Sequence, residues 1–146
     1  MQITRRHARE WAIQMLVAAD LNPPEDVDGF IEGFFSVLPT METKEGGVRD
    51  RISAKVREFA ATRARGVLLG REAIDGKLEA LLDGWQLSRL GTVERAVLRL
   101  GAWELENADI PPAVVINEAV DLVNWFSSPK SRSLVNGVLD KYAKTK

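Results

Sequence analysis

The chain has 146 residues and a formal net charge of −1, with 45% hydrophobic and 28% charged residues. This composition is typical of a folded globular protein, and the length favours one domain with its own hydrophobic core. A net charge near zero excludes nucleic-acid binding by bulk electrostatics, so any such site must be a local basic patch. The absence of cysteine excludes disulfides, thiolate zinc sites and cysteine nucleophiles.

The sequence offers little for catalysis or for a membrane. His7 is the single histidine, and there is no Walker-type glycine-rich loop. We therefore expect no enzyme, no cofactor, no metal site and no catalytic residue. No apolar run approaches the length of about 18 residues that a membrane helix needs. The apolar stretch after the basic N-terminus is interrupted by Gln14 and ends at Asp20 without a convincing cleavage site, which favours a mature cytoplasmic protein.

Helical periodicity runs along almost the whole chain. It predicts seven helices. The first passes through Ala8–Ala19, the second begins after Pro23-Pro24, the third covers about 48–65 and the fourth extends from Ile74 to near Gly84. The fifth begins with Thr92 as its N-cap, the sixth lies between Pro111-Pro112 and Pro129, and the seventh passes through Leu134–Tyr142. Asn136-Gly137 would indicate a hairpin between strands, but it lies within helical spacing and the hairpin is rejected. The sequence therefore predicts an all-α fold.

The first half of the chain contains a pair of closely spaced glycines and an uneven distribution of charge. Gly66 and Gly70 are best interpreted as a helix end or a close helix contact. Acidic residues are in excess over 25–45 and basic residues over 49–65. The sequence assigns no function to residues 20–65.

The first helix combines basic and apolar residues on one surface. If Arg5 is placed at zero and each residue adds about 100°, Arg9 lies at about 40° and Arg6 at about 100°. Ile13 and Val17 fall among these arginines, outside the apolar stripe that faces the core. Guanidinium groups suit phosphates because they can bond bidentately, so this surface is a candidate RNA site. The alternative is a solvated helix start whose two aliphatic residues pack on a neighbouring helix.

Several segments, in order along the chain, resemble the family of the bacterial transcription antitermination factor NusB. These segments are Arg5-Arg6-His7-Ala8-Arg9-Glu10, Val93-Glu94-Arg95-Ala96-Val97-Leu98-Arg99, Val115-Ile116-Asn117-Glu118-Ala119-Val120-Asp121-Leu122 and Leu134-Val135-Asn136-Gly137-Val138-Leu139-Asp140-Lys141. The last two are the most specific. Residues 20–65 are similar to the family only in their helical character.

The resemblance implies one NusB-like helical domain over 1–146, built of two small packed helical bundles at about 1–66 and 67–146. It implies a non-enzymatic factor that binds boxA-type RNA of nascent ribosomal transcripts together with the ribosomal protein NusE. The complex would help RNA polymerase to read through terminators as part of an antitermination complex. Some members of the family form homodimers through the surface otherwise used for RNA.

The resemblance also implies site residues. The arginine-rich first helix of the family corresponds to Arg5, Arg6 and Arg9, and Glu94 corresponds to an acidic position used against NusE. Lys130 and Arg132 are further expected phosphate contacts. Val17 and Leu134 stand where the family often has aromatic residues, which removes base stacking. This departure favours the alternative function, a diverged NusB-like protein-interaction module with little RNA binding of its own.

Overall fold

The computed structural model describes residues 5–42, 54–126 and 129–145, with the side chains among them apart from those of residues 38–42, 125 and 126. These residues form seven α-helices: α1 (Arg5–Leu21), α2 (Val27–Glu42), α3 (Ala54–Leu69), α4 (Arg71–Ala80), α5 (Thr92–Asn107), α6 (Pro112–Phe126) and α7 (Pro129–Lys144). A short 3-10 turn at Leu87–Arg89 precedes α5, and the described part of the chain contains no strand. The predicted all-α fold is confirmed.

The chain divides into two compact units, Met1–Leu69 and Gly70–Lys146. We call them the N-terminal unit, which holds α1 to α3, and the C-terminal unit, which holds α4 to α7. That residues 1–146 act as a single domain with subdomains stays a prediction.

The N-terminal unit is built around the apolar stripe of α1. In this unit α1 and α2 both pack against α3. Trp11 of α1 meets Phe35 of α2 edge to face, with ring centroids 6.1 Å apart. The helices approach closely because small residues line the contact face of α3, where Ala60 and Ala64 are fully buried.

The acidic and basic segments of the sequence pair with one another inside the N-terminal unit. The Arg65 guanidinium of α3 donates to Asp28 of α2 over 2.8 Å, and Arg57 lies 3.8 Å from Glu32. The two carboxylates are largely exposed and the two arginines are half-buried, so each pair adds at most about 1 kcal/mol to stability. These two pairs link α2 to α3 within the N-terminal unit.

The C-terminal unit has a larger core that two polar networks tie together. The Arg99 guanidinium of α5 donates to both carboxylate oxygens of Asp75 on α4, over 2.8 and 3.0 Å. The hydroxyl of Tyr142 on α7 donates to Glu106 of α5 over 2.7 Å, and Lys77 of α4 donates to the same carboxylate oxygen. These bonds fix α4, α5 and α7 relative to one another.

Some predicted helix boundaries were wrong. Helix α3 continues through Gly66 to Leu69, because an isolated glycine in a helix costs only about 1 kcal/mol. Thr92 is the first residue of α5 and Gly91 is its N-cap. The fourth helix ends at Ala80, and the positive φ values of Asp83 and Gly84 exclude a right-handed helix at the predicted end near Gly84. The predicted beginning of the third helix, at residues 48–53, lies outside the described residues.

Candidate nucleic-acid interface

The first turn of α1 presents cations to solvent. It contains no acidic residue, and it holds Arg5, which is exposed, and Arg6, which is half-buried. Amide groups at a helix start carry partial positive charge, so the two arginines add to a potential that already favours anions. The first turn of α1 therefore carries a positive potential that favours an anion.

Arg9 does not lie on the exposed surface where the helical wheel predicted it. Its side chain is buried, with 5% exposed, and its guanidinium lies 5.1 Å from the centroid of the Phe59 ring on α3. Ile13 was predicted to lie outside the core, which is wrong because only 3% of it is exposed. The reason is that buried residues cover roughly 200° of the α1 circumference, from Trp11 round to Ile13. Val17, beyond this arc, is half-buried.

The start of α7 carries the second pair of predicted cations. Lys130 and Arg132 are both exposed in its first turn. They flank Ser131, which is buried and whose hydroxyl donates a hydrogen bond to Glu94 of α5. Because adjacent helical residues point about 100° apart, burying Ser131 turns the residues on either side outward. The segment Ser127-Ser128 lies outside the described residues.

Glu94 has a contact within the fold, with Ser131, that sequence reasoning did not include. It is half-buried in the first turn of α5 and accepts the hydrogen bond from Ser131. One of its carboxylate oxygens also fills the space beside Gly91 that a Cβ at that position would need. A negative charge here is favoured by the helix macrodipole. Glu94 therefore joins the start of α5 to the start of α7, and its expected contact with a protein partner stays a prediction.

At the two positions where the family often has an aromatic residue, this chain has side chains that are partly buried. Val17 on α1 and Leu134 on α7 are half-buried aliphatic side chains. Neither has a flat π-face for a base to stack on. Any RNA affinity at these positions must therefore come from cations and apolar contact.

Sequence reasoning missed Ser131, Phe59 and Arg63. The ring of Phe59 lies beside the guanidiniums of α1 and of Arg63. The spacing of Phe59 and Arg63, four residues apart on one helix, was a readable signal that they touch. Ser131 gave no signal, because its importance comes from a residue 37 positions away in sequence.

The described residues show no sign of a metal centre or a membrane span. No group of three or more metal-ligating side chains converges among them. None of their helices has the length and apolarity that crossing a membrane requires.

The sequence of this chain is similar to the sequences of known proteins of one family. The family model described as the NusB family matches residues 6–144. The transcription antitermination protein NusB of a Nitratiruptor species is 40% identical over 141 residues, which is 97% of this chain and 92% of that protein. The NusB of Anaeromyxobacter dehalogenans is 37% identical over 143 residues, 98% of this chain and 92% of that one.

Solved structures agree with the sequence comparison. T. maritima NusB superposes with a TM-score of 0.80 at 30% identity, covering 99% of this chain and 93% of that one. The crystal structure of antitermination factors NusB and NusE in complex with dsRNA gives a TM-score of 0.77 at 28% identity and covers 97% of each chain. These relatives are antitermination factors and not enzymes, which confirms the prediction of a non-enzymatic protein. A matching family model over nearly the whole chain, a relative at 40% identity and the similarity to the fold of T. maritima NusB together show that the chain belongs to the NusB family.

Proposed function

We propose that the chain is a transcription antitermination factor that binds boxA-type RNA of nascent ribosomal transcripts together with NusE, in the antitermination complex of RNA polymerase. The observation that carries the proposal is the pair of exposed basic helix starts, at Arg5 on α1 and at Lys130 and Arg132 on α7, in a chain of the NusB family. The similar structure of NusB and NusE with dsRNA supports both partners. A factor that acts on nascent transcripts works in the cytoplasm.

The expected affinity follows from the number of available cations. Four side chains, Arg5, Arg6, Lys130 and Arg132, are exposed or half-buried, whereas Arg9 is buried. On single-stranded RNA, each phosphate contact contributes about 0.7 to the slope of log K against log salt, which gives roughly −2.8 for four contacts. The net charge of −1 adds no broad attractive field. We therefore expect the chain alone to bind with a dissociation constant on the order of micromolar or weaker.

NusE would supply a surface for RNA contacts that the chain alone does not make. Partner binding next to the cations adds contacts that the chain lacks, and Glu94 at the start of α5 is the residue we assign to that contact. By linkage, NusE and RNA must strengthen each other's binding by the same factor. Homodimers that cover the RNA surface would compete with this assembly.

A matched pair of lysine variants tests the RNA site. Lys130 is the second residue of α7 and Lys55 the second residue of α3, and both are exposed. Lys130→Ala should weaken binding to a single-stranded boxA-like RNA and reduce the salt slope by about 0.7. Lys55→Ala should leave affinity and slope unchanged. Equal effects of the two substitutions would show that the lysines act only through net charge.

The second candidate function is a protein-interaction module with little RNA binding. The half-buried Val17 and Leu134, and the burial of Arg9, favour it. This function predicts NusE binding by the chain together with RNA binding that no substitution at Arg5, Arg6, Lys130 or Arg132 alters. Electrophoretic binding with boxA-like RNA, with and without NusE, separates the two functions.

A further inference from the structure

The phenyl ring of Phe59 is the meeting point of basic residues from two helices. Among the described side chains, three guanidinium carbons lie near its centroid: Arg63 at 3.5 Å, Arg9 at 5.1 Å and Arg5 at 5.4 Å. Arg5 and Arg9 are four residues apart on α1, and Phe59 and Arg63 are four residues apart on α3. Residues at this spacing share a helix face, and α1 packs against α3. The cluster therefore follows from the helical register and the packing of these two helices.

The members of the cluster differ in their access to solvent. Arg63 and Arg9 are 7% and 5% exposed, whereas Arg5 is an exposed residue. Arg63 also donates a hydrogen bond from Nη1 to the carbonyl oxygen of Phe59 over 3.4 Å, which ties it to the same turn of α3. Two buried guanidiniums thus hold the ring in place. The third, at the first residue of α1, is the one that can meet an external anion.

We propose that Phe59 is a positioning residue for RNA binding, whose ring holds the Arg5 guanidinium ready for an RNA phosphate. This inference rests on the proposed function and extends the site to α3, which the sequence left without a role. An exposed arginine loses rotamer freedom when it grips a phosphate. A ring that already restricts the side chain through a cation–π contact reduces that loss, which is the general benefit of preorganisation. The ring itself touches no RNA.

Phe30 of α2 provides a matched control for Phe59. Both phenylalanines are half-buried and pack against the same core of the N-terminal unit. Among the described side chains, no guanidinium lies over the Phe30 ring. Phe59→Leu and Phe30→Leu remove similar packing, but only the first removes the cation–π contacts. Phe59→Tyr keeps the ring.

The experiment measures affinity and salt slope for a single-stranded boxA-like RNA, in the presence of NusE, together with melting temperature. An exposed cation–π contact corresponds to about a two- to fivefold change in an equilibrium constant. Phe59→Leu should therefore weaken RNA binding by about that factor and make the slope shallower by up to about 0.7, the contribution of one phosphate contact. Phe30→Leu should change the melting temperature but not the slope, and Phe59→Tyr should behave as wild type.

A second readout needs no RNA. In the free protein, the NMR signal of the Arg5 Nε–Hε group should carry a ring-current shift that Phe59→Leu abolishes and Phe30→Leu preserves. Wild-type binding with an unchanged slope in Phe59→Leu, or equal losses in both leucine variants, would overturn the positioning role and leave the proposed function intact. Absence of wild-type RNA binding, with and without NusE, would instead overturn the proposed function and this inference together.

Discussion

Replacing Glu94 by lysine is expected to destabilise the C-terminal unit. Glu94 accepts a hydrogen bond from the buried hydroxyl of Ser131 and lies in the first turn of α5. A hydrogen bond to a charged group contributes about 1.5–3 kcal/mol, and reversing a charge at a helix start costs roughly 0.6–2 kcal/mol. Because the carboxylate is half-buried, the lower part of the sum applies, about 2–3 kcal/mol. The melting temperature should fall by roughly 4–12 °C.

Thermal unfolding followed by circular dichroism measures the change. Ser131→Ala is the control, because it removes the hydrogen bond and keeps the carboxylate, and it should cost about 1.5 kcal/mol, the low end of the range for a hydrogen bond to a charged group.

Calorimetric titration with NusE then separates the two roles of Glu94. If Glu94 also contacts NusE, Glu94→Lys should weaken NusE binding well beyond the effect of Ser131→Ala. If Glu94→Lys melts within a degree or so of the wild type, the assigned link between α5 and α7 is wrong.

Three further predictions concern the C-terminal unit. Asp75→Ala removes the carboxylate that accepts two hydrogen bonds from Arg99, whose side chain is 6% exposed, and should lower the free energy of unfolding in urea by about 3 kcal/mol; a loss below about 1 kcal/mol would contradict this. Burial and the hydrogen bond to Glu106 raise the pKa of Tyr142, so the folded state keeps a proton that the unfolded state releases near pH 10. The free energy of unfolding should then fall above about pH 10, by up to about 1.4 kcal/mol per pH unit, and Tyr142→Phe should remove this component; identical pH profiles would refute it. Gly137→Ala, in the middle of α7, adds a Cβ that would lie in open space, and it should raise the free energy of unfolding by about 0.5–1 kcal/mol; a decrease would show a contact that the structure lacks.

The number and order of the helices could be predicted from the sequence because the helical spacing of apolar residues, and the prolines and glycines between helices, are local features of the sequence. The Asn136-Gly137 pair shows why the pattern outweighs a single motif, since the surrounding apolar spacing is helical and the structure has one continuous helix there. Ends of helices were less predictable. Gly91, not Thr92, is the N-cap of α5, because Gly91 is the last residue with extended backbone before the helix.

The residue types of the candidate site could be predicted from the sequence better than the solvent exposure of those residues. A helical wheel gives the direction of Arg9 and Ile13 but not how much of the helix circumference neighbouring segments cover. Both residues are buried because that covered arc is wide. The contacts of Phe59 with α1 depend on which helices pack together, and that information is tertiary. Lys130 and Arg132 are exposed at the start of α7, and their expected phosphate contacts stay a prediction.

The central claim, that this chain binds RNA through exposed helix-start cations and does so with NusE, is tested most directly by a binding cycle. The affinity for a single-stranded boxA-like RNA is measured over a range of salt, with and without NusE, and the NusE affinity is measured with and without RNA. We predict weak binding by the chain alone with a slope near roughly −2.8, tighter binding with NusE, and an equal strengthening of NusE binding by RNA. Binding of NusE that RNA does not strengthen, with RNA affinity that salt does not change, would contradict the claim.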